Sequence, residues 1–228
     1  MKTFAFIFAR GGSKGLANKN LLKINNKSLV NHSVDCAKES GACEKIFVSS
    51  DSDEILDLAG DDVIKIKRPD ELSGDKDPEW LAWQHAINFA ETNYGKFEIF
   101  ISLPPTSPFK KSLDINNAIK TLNDSSSDIC ISITPSSRNP FFNMVKKDGP
   151  YLEIFNKTTN KIYNRQDAQQ CFDITTNVYA AKKSFIKNKT YIFDGKVSFI
   201  EIPKIRSIDI DDEVDFLIAK TVMENKNV

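Results

Sequence analysis

The sequence is poor in the residues that mark zinc modules, membrane proteins and nucleic-acid binders. It holds two histidines and four cysteines in 228 residues. Cys36, Cys43, Cys130 and Cys171 form no CxxC pair, and neither His32 nor His85 is placed to complete a tetrahedral zinc set. The cysteines therefore read as reduced thiols of a cytoplasmic protein. Neither charge is in excess: 31 basic residues balance 31 acidic ones, and the isoelectric point is about 6.7. Without a net positive field to condense on a phosphate backbone or an anionic bilayer, nucleic acid is disfavoured as the main partner and no membrane partner is expected. Long hydrophobic runs are missing too. The N-terminal one, Thr3–Ala9, stops at Arg10, too short to span a membrane, and a buried strand explains it better. Nine glycines and nine prolines are too few for a collagen-like or disordered chain.

What remains is 40% hydrophobic and 27% charged, enough for one folded domain over residues 1–228. Apolar runs without strict alternation recur at Thr3–Ala9, Lys45–Ser49, Val63–Ile66, Phe97–Leu103 and Ile129–Thr134, as in strands covered on both faces. Helical periods lie between them. Ser28–Lys38 puts Leu29, Val30, Val34 and Ala37 on one face, and Ser112–Leu122 does the same with Ile115, Ala118, Ile119 and Leu122 behind a Ser cap. Ser52–Ala59 and Pro78–Thr92 repeat the pattern more loosely. The alternation predicts an α/β fold, a mostly parallel sheet flanked by helices.

After Ser136 the texture changes. Phe141–Val145, Tyr151–Phe155 and Lys161–Tyr163 read as short extended runs, so residues 136–175 are expected to form a β-rich arm inserted in the sheet domain. The α/β pattern returns with Ile174–Ala181, Val197–Ile202 and an amphipathic helix at Asp212–Met223. Trp80 and Trp83, three apart on a helix, are expected in core or interface packing rather than stacked on a ligand.

The first strand empties into Ala9-Arg10-Gly11-Gly12-Ser13-Lys14-Gly15, followed by Asn18-Lys19-Asn20. Glycines let backbone N–H groups approach an anion, and Arg10, Lys14 and Lys19 supply the charge that a polyphosphate requires. Ligands of parallel sheets bind at the carboxyl ends of the strands, where this loop lies. Lys14 precedes Gly rather than Ser or Thr, so the loop is not a Walker loop, nor does it match GxGxxG. A solvated strand-to-helix turn with incidental lysines is the competing explanation. Near the other end, Asp209 and Asp211, one residue apart on an extended stretch, point the same way and suit Mg²⁺ or Mn²⁺. With Asp212 and Glu213 they also fit a negatively charged helix start.

Four motifs in order carry a resemblance. Ala9–Gly15 with Lys19-Asn20, Arg68-Pro69 with Glu71-Leu72, Leu103 with Pro105-Thr106-Ser107-Pro108, and Asp209-Ile210-Asp211 before a last helix resemble the signature of the acylneuraminate cytidylyltransferases, the CMP-sialic acid synthetase family. The resemblance spans residues 9 to 215. It implies a Rossmann-like nucleotidyltransferase fold and transfer of CMP from CTP to the anomeric hydroxyl of a 2-keto-3-deoxy sugar acid, releasing pyrophosphate. It further implies catalytic roles for Arg10, Lys14 and Asp211, with Mg²⁺ or Mn²⁺ on Asp209 and Asp211. The nucleotide would meet Ala9 to Lys14, Lys19, Asn20, Arg68 and the backbone near residues 73 to 79. The sugar would meet Pro104, Thr106, Ser107, Arg165, Gln166 and Asp173.

Two departures from the family stand on the sugar side. Pro104 replaces a usual Gln and cannot donate its hydrogen bond, and Asp173 stands where many members carry a cation. Both argue for an acceptor other than N-acetylneuraminic acid, of legionaminic type or an unacetylated or deaminated nonulosonate. Phe141-Phe142 resembles the family's dimerisation segment, which implies a homodimer. Two other readings remain: a nucleotidyltransferase for another sugar or NTP, and a nucleotide-binding protein that has lost catalysis.

Overall fold

The computed structural model describes residues 1–12, 15–74 and 77–225. In chain order its strands and helices are β1 (Thr3–Phe8), β2 (Lys23–Ile24), β3 (Lys27–Ser28), α1 (Leu29–Ser40), β4 (Lys45–Ser50), α2 (Asp53–Leu58), β5 (Ile64–Lys67) and α3 (Glu79–Tyr94). There follow β6 (Ile99–Ser102), α4 (Ser112–Asp124), β7 (Ile129–Pro135), β8 (Val145–Asp148), β9 (Tyr151–Ile154), β10 (Phe172–Lys182), α5 (Lys183–Asn188), β11 (Val197–Glu201) and α6 (Glu213–Glu224). Seven strands form one sheet in the order β11-β7-β10-β6-β1-β4-β5. Every neighbouring pair is parallel except those of β10, which runs against both β6 and β7.

The missing alternation in the central strands has a simple cause. Phe4, Phe6 and Phe8 of β1 enter one apolar layer, with Trp83, Ala86 and Ile87 of α3, while Ala5, Ile7 and Ala9 enter the other, with Val30 and Val34 of α1 and Ile115 and Ala118 of α4. Both faces are dry, so the period of two is hidden. The first layer is aromatic: Phe6 stacks on Phe47 with centroids 4.8 Å apart, and Trp83 packs at 5.3 Å from Phe100 and 5.6 Å from Tyr179. Trp80 and Trp83 are buried there, and the Trp80 indole donates to Ile186 O at 3.0 Å. A third cluster, Ile24, Leu29, Phe109, Ile210 and Ala219, seats the β2–β3 hairpin and α6 at one end of the sheet. That hairpin escaped the sequence reading because its turn uses Asn25 and Asn26, both with positive φ, in place of glycine.

Three expectations need correction. The cap of α4 is not Ser112, which lies inside the helix; the Asp114 carboxylate instead accepts the Lys111 N–H at 2.8 Å and pairs with Arg206. Phe141–Val145 is not one extended run: residues 140–143 form a turn and only Val145 enters β8, because Asn139 accepts the Phe141 N–H on its side-chain oxygen at 2.9 Å and receives the Met144 N–H on its carbonyl at 3.1 Å. Lys161–Tyr163 forms no strand. Between residues 136 and 171 the described chain holds one two-stranded ladder, β8 on β9, and Phe172 already belongs to the main sheet.

β10 carries a register break between Thr175 and Tyr179. Ser132 Oγ fills it, accepting the Val178 N–H at 3.1 Å and the Thr175 hydroxyl at 2.7 Å. The break leaves Thr176 out of the β7 pairing, Tyr179 resumes it opposite Ile131 and Ser102, and both side chains reach the cleft described next.

Candidate active site

A cleft of about 550 Å³ opens at the carboxyl ends of the parallel strands. The loop after β1 forms one side. Ala9 is fully buried and extends the β1–β4 pairing by donating to Ser49 O at 3.0 Å, so the loop leaves the sheet only at Arg10. Gly11 N–H donates to Asp51 Oδ1 at 2.9 Å, and a Cβ on Gly11 would stand 3.1 Å from that of Ser52. Gly12 has open space around it, and Ser13 and Lys14 lie outside the described residues. Gly15 returns against the opposite wall, where a Cβ would come within 2.5 Å of Asp211 O. Lys19 Nζ then reaches Asp211 Oδ1 at 3.1 Å, and Asn20, 5% exposed, donates to Arg10 O at 2.9 Å.

Arg68 forms the second side. Its backbone N–H bonds Ser50 O at 2.8 Å beyond the end of β5, and the residue is 5% exposed, with Nη2 3.7 Å from Asp51 Oδ1. Burial lowers its pKa, and Asp51 and Glu79 work against that loss. Its Nε and Nη2, like Asn20 Oδ1, are buried without a hydrogen-bond partner. A buried donor left unpaired is costly. These three atoms belong to side chains that line the cleft, and a polar ligand there would satisfy them. Ser73, Gly74 and Asp77 continue this wall; Asp75 and Lys76 lie outside the described residues.

The floor comes from the turn after β6 and the segment before α6. Pro104, Pro105 and Thr106 line it with Asp209 and Asp211. Thr106 O accepts the Ile210 N–H at 2.9 Å, and Ile210 is fully buried, so the residues on either side of it are turned toward the cleft. Ser107 lies behind this lining, 2.5 Å from the Thr176 hydroxyl. Arg165, Gln166 and Asp173 do not line the cleft. Arg165 donates to Ser137 O at 3.3 Å in the excursion between β7 and β10, and exposed Asp173 sits opposite Thr134.

The family model described as Cytidylyltransferase matches residues 4–215. The chain belongs to the cytidylyltransferase family. As a cytidylyltransferase it is a CTP-dependent nucleotidyltransferase. It is 30% identical over 227 residues to "Post-translational flagellin modification protein B" of Campylobacter coli, covering 97% of this chain and 95% of the relative. It is also 30% identical over 226 residues to "CMP-N,N'-diacetyllegionaminic acid synthase" of Campylobacter jejuni, with the same two coverages. The fold is shared with a CMP:2-keto-3-deoxy-manno-octonic acid synthetase complexed with CTP, at a TM-score of 0.70, 13% identity and coverage of 99% and 100%.

Among its described residues this cytidylyltransferase has no group of three or more His, Cys, Asp and Glu that would by itself enclose a metal. The pair Asp209 and Asp211 nevertheless fits Mg²⁺. Asp209 Oδ1 is buried without a partner, Asp211 is open to the cleft, and Mg²⁺ takes one or two carboxylates together with substrate phosphates and water.

Two cleft features of the cytidylyltransferase were missed from sequence. Glu79 reads as an ordinary acidic helix start, yet it lines the cleft. It reaches solvent through the opening while protein crowds it on the other sides, and this desolvation raises its pKa against the pull of Arg68. Tyr179, beside it on the cleft wall, is pushed up by burial and by the Glu79 and Asp209 charges. Nothing short of the fold would have brought these two together.

Proposed function

We propose that this chain joins CMP from CTP to the anomeric hydroxyl of a 2-keto-3-deoxy sugar acid of the nonulosonic type. The anomeric oxygen bonds to the α-phosphorus, the bond from that phosphorus to the β-bridging oxygen breaks, pyrophosphate leaves and the hydroxyl proton is released. The observation that carries the proposal is the placement in one cleft of Asp209, whose Oδ1 is buried without a hydrogen-bond partner, and Asp211, paired with Lys19, together with Arg10 and the buried Arg68 donors that lack a hydrogen-bond partner. A triphosphate needs cations and a metal in that arrangement. The full-length likeness to a relative named for CMP-N,N'-diacetyllegionaminic acid supports the acceptor class.

In this reading Arg10, Lys14 and Lys19 hold the phosphates with the backbone from Ala9 to Ser13, while Asn20 and Arg68 hold the nucleoside. Mg²⁺ held by Asp209 and Asp211 would neutralise the triphosphate and the departing pyrophosphate. Pro104 and Thr106 border the acceptor, with Ser107 behind them. Pro104 still argues against N-acetylneuraminate, since a wall that offers no amide cannot reward a polar group there. Asp173 lies off the cleft and lends that argument no weight; Arg165 and Gln166 would serve the sugar only through a rearranged excursion or a second subunit.

The test is pyrophosphate release with CTP, Mg²⁺ and a panel of sugar acids. A legionaminic-type acid is expected to give the highest kcat/KM. N-acetylneuraminate better by tenfold or more, about 1.4 kcal/mol of transition-state preference, would overturn the acceptor choice. In the same assay UTP, ATP and GTP are expected to fail, and equal use of all four would remove cytidine specificity.

The chain acts as a homodimer in this proposal. Tyr151, Leu152, Phe155 and Tyr163 are exposed along the excursion, an apolar surface that water does not favour. Light scattering at micromolar concentration is expected to give about twice 25.7 kDa, and a monomer alone would sink the idea. The four cysteines are all free, which supports work in the cytoplasm. Among the described residues no helix is long and apolar enough to cross a membrane.

A further inference from the structure

The turn that bears Pro104 is built over a buried ammonium. Lys110 is 7% exposed, and its Nζ donates to Pro104 O at 2.8 Å, to Ser33 Oγ at 3.0 Å and to Ser107 O. Three protons meet three acceptors, so the group is saturated. Among the described residues no other donor replaces it at Pro104 O or Ser107 O: Ser33 Oγ and Ser107 N–H reach Pro104 O only at 3.5 Å. Between the two carbonyls that Lys110 holds lies Thr106, whose own carbonyl accepts the Ile210 N–H at 2.9 Å. Ile210 stands between Asp209 and Asp211. Of these two acids the ammonium feels Asp209: burial lowers its pKa to about 8, while Cys36, Asp209 and Asp114 act to restore it.

Resting on the transfer reaction proposed above, we infer that Lys110 is a positioning residue: its ammonium fixes the Pro104–Ser107 turn that walls the acceptor side of the cleft and, through Thr106, the placement of Asp209 and Asp211. It touches no cleft space itself. The nucleotide-side groups Arg10, Asn20 and Arg68 sit on other segments and do not depend on it. Loss of Lys110 should therefore separate acceptor use and turnover from CTP binding.

The experiment compares the parent chain with Lys110→Met and Lys110→Arg. It measures kcat and acceptor KM with CTP and Mg²⁺, and the thermal shift given by CTP without acceptor. Lys110→Met is expected to lower kcat at least tenfold and raise acceptor KM, with the CTP shift unchanged. Lys110→Arg keeps a permanent charge and several donors, and it is expected to recover most of the loss. A folded Lys110→Met with kcat and acceptor KM within twofold of the parent would overturn the inference; so would equal losses in both variants, which would assign the effect to packing. Should Lys110→Met fail to fold, Ser33→Ala decides, since it removes one acceptor and leaves the ammonium. It is expected to lower kcat about two- to fivefold without moving the CTP shift, and an unchanged kcat would refute the role. A parent that uses no sugar acid would sink the acceptor proposal instead, and the variants are compared only against an active parent.

Discussion

Replacing Asp211 with Ala is expected to abolish most metal-dependent turnover while the chain remains folded. The two halves of that expectation have different physical sources. The Asp211 side chain is 74% exposed and its ion pair with Lys19, at 3.1 Å, is open to water. Such pairs contribute about 0–1 kcal/mol, so the melting temperature should fall by no more than about 4 °C in a domain of this size. The backbone of Asp211 stays anchored, because its N–H donates to Asp215 Oδ2 at 3.1 Å at the start of α6. Charge at the triphosphate is another matter. A metal that polarises a phosphoryl oxygen contributes several kcal/mol to the transition state, so losing one of the two carboxylates proposed to hold it should lower kcat on the order of a hundredfold or more. Raising Mg²⁺ should recover only a small part of it. A folded Asp211→Ala chain that turns over at the parent rate would remove Asp211 from the mechanism.

Gly15→Ala is expected to do comparable harm without touching a charge. The added methyl would lie 2.5 Å from Asp211 O, a backbone atom that cannot swing away as a side-chain end can. Asp211 is pinned from behind by Asp215, and Ile210 beside it is pinned by Thr106 O. The loop must therefore yield, carrying Lys19 away from Asp211 and opening the space meant for phosphate. Overpacking of this kind costs about 1–3 kcal/mol of stability, or roughly 2–12 °C in melting temperature. The larger effect should appear in function: CTP with Mg²⁺ is expected to stabilise the variant far less than the parent, and kcat to drop tenfold or more. If Gly15→Ala binds and turns over CTP like the parent, the close approach of loop and carboxylate has no part in the reaction.

How much of this was legible in the sequence depended on where the information lay. Thr3–Phe8 and its parallel neighbours were readable because burial on both faces writes an unbroken apolar run, and the turn into Arg10–Gly15 carries its own chemistry in adjacent residues. Asp209 and Asp211 were readable as a pair because alternation about Ile210 is a local property. Lys110 was not: beside Lys111 it looks like a surface charge, and only the closure of the Pro104–Ser107 turn over it shows otherwise. Glu79 was disguised as a favourable helix start. Phe141–Phe142 misled because hydrophobicity suggested strand where the hydrogen bonds of Asn139 impose a turn. Arg165, Gln166 and Asp173 could be ordered along the chain but not placed in space, since their position depends on how a long excursion returns.

The reversed direction of β10 has a consequence for how such a protein can change. β7 ends at Pro135, at the end of the sheet where the parallel strands finish, and β10 begins at Phe172 directly opposite it. The excursion between them thus starts and finishes at that same end of the sheet, with no return trip across it. Residues can be added, lost or rewritten there without shifting the register of a single core strand. Under the proposed second subunit, changes confined to that stretch would alter what meets the acceptor while leaving the segments that bear Arg10, Asn20 and Arg68 as they are.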